Sequence, residues 1–553
     1  MRRPAALLAL AAVLAAPWMH DARAAQKTVC TITVNSPDEK EAFRRALPPD
    51  RFRFVELVER GRPDWLAAAC REHVRCDVLI ISGHYDGGHE FFSDRTDAQE
   101  FLPVDEMERV ACSDSCPALF SQLKEVYLFG CNTLNPEARK SASAEIVRSL
   151  VRSGHSRADA DRLAQLLSAR HAESARDRMQ QIFTDVPAIY GFSAAAPVGP
   201  TAGSILDRYF HAGGAAEVGS GRASGRLQAA FTGHSLALAR GMTAADPRAA
   251  HRQDICEFSD DRRTPAERVA FVHRLLGREM AEVRMFLDRL EDYAASLDDR
   301  QRQDPAVAQA LDGIARDRDA RERFLAFARD ADLPTVRVRM IDLAARLGWL
   351  TPDQRRAELG RMIADDIARN AIDAAEVDLV CAQNAGGDLS SLLPELRIDD
   401  AQASKVANAA VLACLGDAGR HARVVAALTS ARDADAEVAR VYLRRRGVAG
   451  ADELRSLTEE VARMRDATAQ ARAIETLGRL GTSDAASLEI LARLFPAADS
   501  PAVQTAIAGV LLRADPAQVA GADLVQSLRQ RRQQLAGGGG LIDALLRRLT
   551  RVY

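Results

Sequence analysis

The chain has 553 residues, 47% of them hydrophobic, and its 77 acidic and 74 basic residues leave a formal net charge of −3. This length is sufficient for two or three domains, each with its own core. The near balance of charge excludes a strongly basic protein of the kind that binds nucleic acid, so we expect no nucleic-acid partner.

The N-terminal segment predicts export. Arg2 and Arg3 precede an apolar run over residues 5–16, and the tripeptide Ala-Arg-Ala at 22–24 follows at the spacing of a cleavage site. This is the pattern of a secretory signal peptide, which we assign to residues 1–24. The run is shorter than the ~20 residues that a membrane span needs, and no later stretch is apolar enough to replace it. We therefore expect a periplasmic or secreted protein with no membrane span.

Nine cysteines in an exported chain indicate disulfide bonds. Eight can pair while one stays free, and we expect the free one to be Cys131. Spacing alone does not determine the connectivity. Cys112 and Cys116 are close in sequence, and Cys381 with Cys414 is the natural pair within the C-terminal half.

Residues 25–245 predict an α/β domain. Short apolar runs alternate with helical stretches there, which is typical of a parallel sheet covered by helices on both faces. The predicted strands are 28–34, 52–58, 76–81, 125–130 and 188–193, and the predicted helices are 37–47, 64–74 and one or more between 141 and 183. A polar linker is predicted at residues 246–263.

Strand patterns are absent after the linker, and residues 264–536 predict an all-α region. Thr264-Pro265-Ala266-Glu267 and Thr351-Pro352-Asp353-Gln354 have the form of capping boxes with Pro at the first helical position. Predicted helices end in a glycine at separations of 68, 31 and 34 residues, at Gly348, Gly416, Gly447 and Gly481. A period of about 33 residues indicates stacked helical hairpins.

The segments "ARAIETLGRLG" and "PAVQTAIAGVL" in this region resemble HEAT repeats. The resemblance implies a HEAT-like solenoid with a long face that binds a protein or peptide. Residues 537–553 then combine a Gly-rich tether with a final amphipathic helix, which we interpret as the cap of the solenoid.

Two predicted strands end in residues that can carry chemistry. The segment "CDVLIISGHYDGG" presents His84 after its strand, and "EVYLFGCNT" presents Cys131 after the next one. Carboxyl ends of neighbouring parallel strands meet at one edge of a sheet. If these strands are adjacent, the imidazole and the thiol face the same substrate.

An apolar strand ending in Ser-Gly-His, followed 47 residues later by a strand ending in a small residue and Cys, resembles the clan of caspases, gingipains, legumains and CHAT-domain peptidases. The resemblance spans residues 27–212 and implies a caspase-like fold, in which the histidine follows the third strand and the cysteine the fourth. It implies that Cys131 is the nucleophile and His84 the general acid. The backbone N–H groups of Tyr85 and Cys131 would hold the oxyanion.

The chain departs from that clan at two positions. Tyr85 replaces the glycine that usually follows the histidine, which affects the shape of the oxyanion hole. Phe129 stands where several basic-specific members have an acid, which argues against a simple Arg or Lys preference. By the same resemblance, Phe129 and Ser193 would border the substrate pocket, and the segment 193–203 offers no charged residue.

Three functional hypotheses follow. The first is an exported cysteine endopeptidase that needs no cofactor and acts on a peptide or protein substrate, with helical repeats that bind the substrate or a protein partner. The second is a metal-dependent hydrolase in which His84, Asp86 and His89 bind a metal such as zinc and activate water. The third is a catalytically inert periplasmic scaffold whose helical repeats bind protein partners.

The free thiol provides the first test. We expect iodoacetamide to alkylate Cys131 in the folded, non-reduced protein while most other cysteines are protected, because the thiolate is the reactive species and disulfide sulfur does not react. Peptide mass spectrometry after labelling identifies the modified residue. Finding Cys131 within a disulfide would refute this expectation.

Overall fold

The computed structural model describes residues 26–57, 65–94, 101–113, 116, 118–137, 143–152, 154–170, 174–396, 398–519, 522–534 and 540–550. The chain divides into two compact units, Met1–Phe271 and Val272–Tyr553. The predicted signal peptide and residues 537–539 of the Gly-rich tether lie outside the described residues. No described helix has the length and apolar character that crossing a membrane requires.

The first unit is built around a six-stranded sheet. In chain order the described strands are β1 Lys27–Thr33, β2 Phe52–Glu56, β3 Val78–Ser82, β4 His84–Tyr85, β5 Glu90–Phe92, β6 Phe101–Pro103, β7 Glu125–Phe129, β8 Ala188–Phe192 and β9 Leu236–Ala239. The sheet order is β2-β1-β3-β7-β8-β9, and only β9 runs antiparallel to its neighbour. All five predicted strands are present in this sheet, which confirms the parallel α/β prediction.

Helices cover both faces of the sheet. They are α1 Asp38–Ala46, α2 Trp65–Arg71, α3 Val104–Cys112, α4 Ser143–Arg152, α5 Arg157–Arg170, α6 Ala175–Ile182, α7 Gly199–His211, α8 Gly225–Ala230 and α9 Ala249–Ser259. Alternate side chains of each strand point to opposite faces. Val78 and Ile80 pack with α1 and α7, whereas Leu79 and Ile81 pack with α2, α3 and α6. Each central strand therefore has apolar residues on both faces, which explains its continuous apolar run.

The sequence did not predict the second, three-stranded sheet, whose order is β4-β5-β6. These strands have only two or three residues each, so they carry almost no periodic signal. The turn between β4 and β5 is held by Asp86, whose Oδ1 accepts the N–H groups of Gly88, His89 and Glu90. This small sheet begins at His84, directly beyond β3.

Four disulfide bonds are present. They join Cys30 with Cys76, Cys70 with Cys116, Cys112 with Cys256, and Cys381 with Cys414. Cys131 is the free cysteine, as the odd number predicted, and the expected pair in the C-terminal half is confirmed. Cys112 and Cys116, although neighbours in sequence, pair with different distant residues.

The segment predicted as a linker, 246–263, contains helix α9, which is attached to the sheet unit. Cys256 binds Cys112 of α3, and Arg252 donates to the carbonyl of Ala111. The polar residues of this segment therefore make contacts within the first unit, and the change between units falls farther along, within α10 (Pro265–Leu276).

The second unit is all-helical over its described residues. After α10 its helices are α11 Met280–Met285, α12 Leu287–Ser296, α13 Asp299–Gln303, α14 Pro305–Arg316, α15 Arg318–Asp330, α16 Pro334–Arg346, α17 Pro352–Arg369, α18 Ala374–Gln383, α19 Asp400–Ala403, α20 Val406–Leu415, α21 Ala418–Ala426, α22 Asp433–Arg446, α23 Ala451–Ala462, α24 Ala467–Arg479, α25 Ala485–Ala497, α26 Pro501–Leu511, α27 Pro516–Val519, α28 Ala522–Gln534 and α29 Gly540–Leu549. Alternate helices pack side by side, as α20, α22, α24 and α26 do.

Local sequence signals at the helix ends, from Thr264 onward, are confirmed. Thr351 and Gln354 form a reciprocal capping box, and Thr264 and Glu267 exchange the same two bonds. The four glycines at predicted helix ends all have positive φ, from 72° to 114°, which glycine adopts without steric cost. The final helix α29 is amphipathic, because Ile542, Leu545 and Leu549 are buried. Its predicted role as a cap of HEAT-like repeats stays a prediction.

The attachment of α9 leads to a test on fragments of the first unit. A fragment of residues 26–264 retains Cys256, so we expect one free thiol per chain. A fragment of residues 26–250 lacks Cys256 and leaves Cys112 without its partner, so we expect two. Counting thiols in guanidinium without reductant distinguishes the fragments, and a single thiol in the shorter one would contradict the Cys112–Cys256 bond.

Candidate functional site

His84 and Cys131 follow neighbouring strands in register. β3 and β7 are paired in parallel with Ser82 opposite Phe129, and the Gly83 N–H donates to the Phe129 carbonyl at 3.1 Å. His84 and Cys131 each stand two residues beyond this matched pair. The structure therefore places both residues at the same edge of the sheet, on adjacent strand ends.

The glycine at position 130 permits the close approach of these strand ends. A Cβ atom on Gly130 would lie 2.9 Å from the Gly83 carbonyl oxygen and 2.9 Å from Tyr85 Cβ. Both distances are too short for a real contact, so any larger residue at position 130 would separate the ends. Within the described part of the chain, His84 and Cys131 make no direct hydrogen bond. Loose geometry of this kind is common in catalytic pairs without substrate.

The thiol of Cys131 is partly accessible and has one donor. The Ala196 N–H, in the loop between β8 and α7, donates to Sγ at 3.3 Å. The same loop is tied to the cysteine turn, because the Asn132 N–H donates to the Ala194 carbonyl at 2.8 Å. An N–H group bonds more strongly to an ionised acceptor than to a neutral one. The loop after β8 therefore contacts the sulfur through one backbone donor.

Backbone donors near the thiol bear on the predicted oxyanion hole. Among the described residues the Cys131 N–H has no backbone acceptor. Tyr85 is buried, and its ring packs on that of Phe91 with centroids 4.7 Å apart. The side chain that replaces the expected glycine thus points into the core. The part that the two N–H groups play in holding an oxyanion stays a prediction.

The imidazole of His84 lies on the small sheet. Its ring contacts that of Phe92 on the paired strand β5, with centroids 5.5 Å apart, and its side chain is 40% exposed. The Nε2 atom is 3.4 Å from Oδ2 of Asp94. The hairpin thus supports one face of the ring and places a carboxylate beside one of its nitrogens.

Of the two predicted pocket residues, Phe129 belongs to the core. It is 8% exposed and packs 6.4 Å from the ring of Phe192, so it supports the sheet and its side chain does not form a pocket wall. The reason is strand alternation, which directs Phe129 to the face covered by α1 and α7. Ser193 is half-buried, and its N–H and hydroxyl both donate to the Ser235 carbonyl.

The loop after Ser193 forms an uncharged border beside the thiol. Residues 194–198 have the sequence Ala-Ala-Ala-Pro-Val, and Val198 is 67% exposed. Four bonds hold this loop, from Asn132 to Ala194, from Ala194 to the Ser235 hydroxyl, from that hydroxyl to Ala195, and from Ala196 to the sulfur. A ligand at Cys131 would meet small apolar side chains on this side.

The metal-site hypothesis receives no support from the geometry. The Asp86 carboxylate accepts three backbone N–H groups, and although burial raises its pKa, these bonds outweigh burial and hold the pKa below its usual value. His89 is exposed at the far end of the turn. In the part of the chain that the structure describes, no group of three or more His, Cys, Asp or Glu side chains is placed to hold a metal ion.

Glu39 is a titratable residue near the site that the sequence did not single out. It lies in the first turn of α1, just after β1, and is only 3% exposed. Burial raises its pKa to about 7, because the neighbouring polar groups, its own backbone N–H and the Ser82 and Ser36 hydroxyls, compensate only in part. An acid in the first turn of a helix is ordinarily exposed to solvent, so nothing in the sequence singled out Glu39. Only its burial in the folded protein identifies it as unusual.

The raised pKa of Glu39 predicts a pH-dependent effect on stability. The folded state binds the proton more tightly than the unfolded chain, so Glu39 lowers stability as pH rises from about 4.5 to about 7. We expect Glu39→Gln to increase the free energy of unfolding more at pH 8 than at pH 4. The difference between the two effects should be up to about 3 kcal/mol. Urea denaturation at the two pH values measures this difference.

Glu41→Gln is the matched control, since Glu41 lies on the same helix and pairs with Arg44 at the surface. We expect its effect on stability to be small at both pH values. Equal effects of the two substitutions at pH 8 would show that Glu39 is not a desolvated carboxyl.

Comparison with known proteins does not supply an assignment. No protein-family model matches this chain, and neither a curated protein nor a solved structure is significantly similar to it. The functional assignment therefore depends on the arrangement of His84, Cys131 and their neighbours at the edge of the sheet.

Proposed function

We propose that this chain is an exported cysteine endopeptidase of caspase-like fold, with Cys131 as nucleophile and His84 as general acid. The observation that carries the proposal is the register of β3 and β7, which brings the free thiol and an imidazole to adjacent strand ends. Each residue alone would be ordinary. Their meeting at the edge where α/β sheets bind ligands makes a catalytic pair the best account of both.

The chemistry follows from these positions. The sulfur of Cys131, as thiolate, attacks the carbonyl carbon of a peptide bond and forms a tetrahedral intermediate. His84 gives a proton to the leaving amine as the carbon–nitrogen bond breaks, which leaves a thioester on Cys131. A water molecule then attacks the thioester, and its proton returns through His84 to the sulfur. The Ala196 N–H stabilises the sulfur whenever it carries charge.

The disulfide pattern supports an exported thiol enzyme. Eight cysteines are oxidised in pairs, and such bonds persist outside the reducing cytosol. Cys131 is not in a disulfide although it is partly accessible. We propose a periplasmic or extracellular location on this ground together with the signal-peptide pattern of residues 1–24.

The walls of the site and the second unit indicate the kind of substrate. The border at residues 194–198 is apolar and uncharged, which favours an uncharged residue next to the scissile bond over Arg or Lys. The stacked helices of the second unit, which we propose to be HEAT-like, have the architecture of repeat proteins that bind extended polypeptides. We propose that they select a protein substrate or hold a partner.

A scaffold without catalysis is the second candidate. The observation that favours it is that His84 and Cys131 make no direct hydrogen bond in the described residues. In that case the helical unit alone would carry the function, through a bound protein partner, and replacing Cys131 would change nothing measurable in that binding.

The decisive experiment is cleavage of a peptide library by the full-length protein. We expect Cys131→Ala to abolish cleavage and His84→Gln to reduce it by a factor of about 100 or more, because the leaving amine loses its proton donor. Mass spectrometry of the library products measures both. His89→Gln is the matched control, since His89 lies on the same hairpin but away from the thiol, and we expect it to retain full activity.

Three results would contradict the proposal. Cleavage that survives Cys131→Ala would exclude the thiol as nucleophile. Loss of cleavage in His89→Gln to the same extent as in His84→Gln would revive the metal-dependent hydrolase. Absence of all cleavage by the wild-type protein, with binding of partner proteins intact, would favour the scaffold.

A further inference from the structure

We propose that Asp94 is the positioning residue of His84, which holds the imidazole in one tautomer and orientation for proton transfer. The inference rests on the proposed peptidase function, in which only His84 and Cys131 were given roles. Its basis is the 3.4 Å separation between Asp94 Oδ2 and His84 Nε2. Nothing in the sequence motif indicated Asp94, which lies ten residues after the histidine.

The hairpin geometry brings these two residues together. His84 on β4 is paired with Phe92 on β5, and Asp94 follows Phe92 by two residues on the same chain segment. The direct pairing places the side chain of Phe92 on the same side of the hairpin as that of His84. The ring of Phe92 supports the face of the imidazole, and the carboxylate reaches its edge.

The segment that carries Asp94 is anchored to the main sheet. The Ser93 hydroxyl donates to Oδ1 of Asn35 at 3.1 Å, and the Asn35 N–H donates to the Ser82 carbonyl. Asn35 lies just beyond β1, and Ser82 is the last residue of β3. Asp94 therefore directly follows a residue whose side chain is bonded to the segment after β1, although its own side chain is 70% exposed.

The other acids of the hairpin do not perform this role. Asp86 uses its Oδ1 atom to close the turn through three backbone N–H groups. Glu90 lies at the start of β5, opposite Pro103 of β6, and forms no ion pair with His84 among the described residues. Asp94 is the acid whose carboxylate stands beside the ring.

The chemical consequence concerns which nitrogen carries the proton. Nε2 is shielded from solvent and makes no hydrogen bond in the resting geometry, so a small closure toward Asp94 gives it an acceptor. Nε2–H then faces Asp94, and Nδ1 exchanges protons with the sulfur of Cys131 and with the leaving amine. When Nδ1 accepts the thiol proton, the ring becomes an imidazolium that the carboxylate stabilises. The proton on Nδ1 then passes to the nitrogen of the leaving amine, which restores the neutral imidazole.

Asp94→Asn in the full-length protein tests this role by kinetics. The amide has nearly the shape of the carboxylate but no charge. With a peptide selected from the library by the wild-type protein, we expect kcat to fall about tenfold with KM unchanged. Acylation of Cys131 by p-nitrophenyl acetate should fall less than kcat does, because the thiol still gives its proton to His84 but p-nitrophenolate leaves without a proton. Glu90→Gln, which removes one charge from the same hairpin, should leave both reactions unchanged.

A second measurement does not require activity. Nitrogen-15 NMR of the histidine side chains should show His84 with the proton on Nε2 in the wild-type protein and in Glu90→Gln, and a mixture of tautomers in Asp94→Asn. An unchanged tautomer in Asp94→Asn, or an equal loss of kcat in both variants, would overturn the role of Asp94. A wild-type protein that cleaves no peptide would instead refute the proposed function, and the tautomer measurement would still decide whether Asp94 orients His84.

Discussion

The parallel pairing of β3 with β7 is the constraint on which the rest of the site depends. Because the two strands are in register at Ser82 and Phe129, the residues that follow them reach the same edge of the sheet together. Gly83 and Gly130 keep the strand ends in contact at a point where a side chain on Gly130 would collide with the backbone. A shift of either strand by one residue would direct His84 or Cys131 to the opposite face.

Two further segments complete this edge, one on each side. On the histidine side the β4–β5 hairpin, closed by Asp86, supports the ring of His84. On the cysteine side the loop after β8 is bonded to Asn132 and to the sulfur itself. Both segments are attached to the main sheet at their base, an arrangement in which a rigid scaffold positions functional groups that lie outside it. The proposed catalytic residues thus lie beyond the six-stranded sheet, and the sheet fixes their positions.

Three disulfide bonds lie in the same unit as this edge, and none of them includes its thiol. Three disulfides connect β1, α2, α3 and α9 within the first unit, and they lie on the face of the sheet that packs with α2 and α3 or beside it. Cys131 takes part in none of these bonds. Three disulfide bonds and one free thiol thus occur together in one unit.

Local chemistry in the sequence determined the five parallel strands, the capping boxes, the helix-ending glycines and the free thiol, because each depends on periodicity, on a short motif or on parity. Tertiary structure decided the rest. The partners of Cys112 and Cys116, the burial of Phe129 and Glu39, the turn made by Asp86 and the approach of Asp94 to His84 all depend on which distant segments meet. Burial and contact are properties of the folded neighbourhood, and the same residue types are ordinary surface groups elsewhere in this chain.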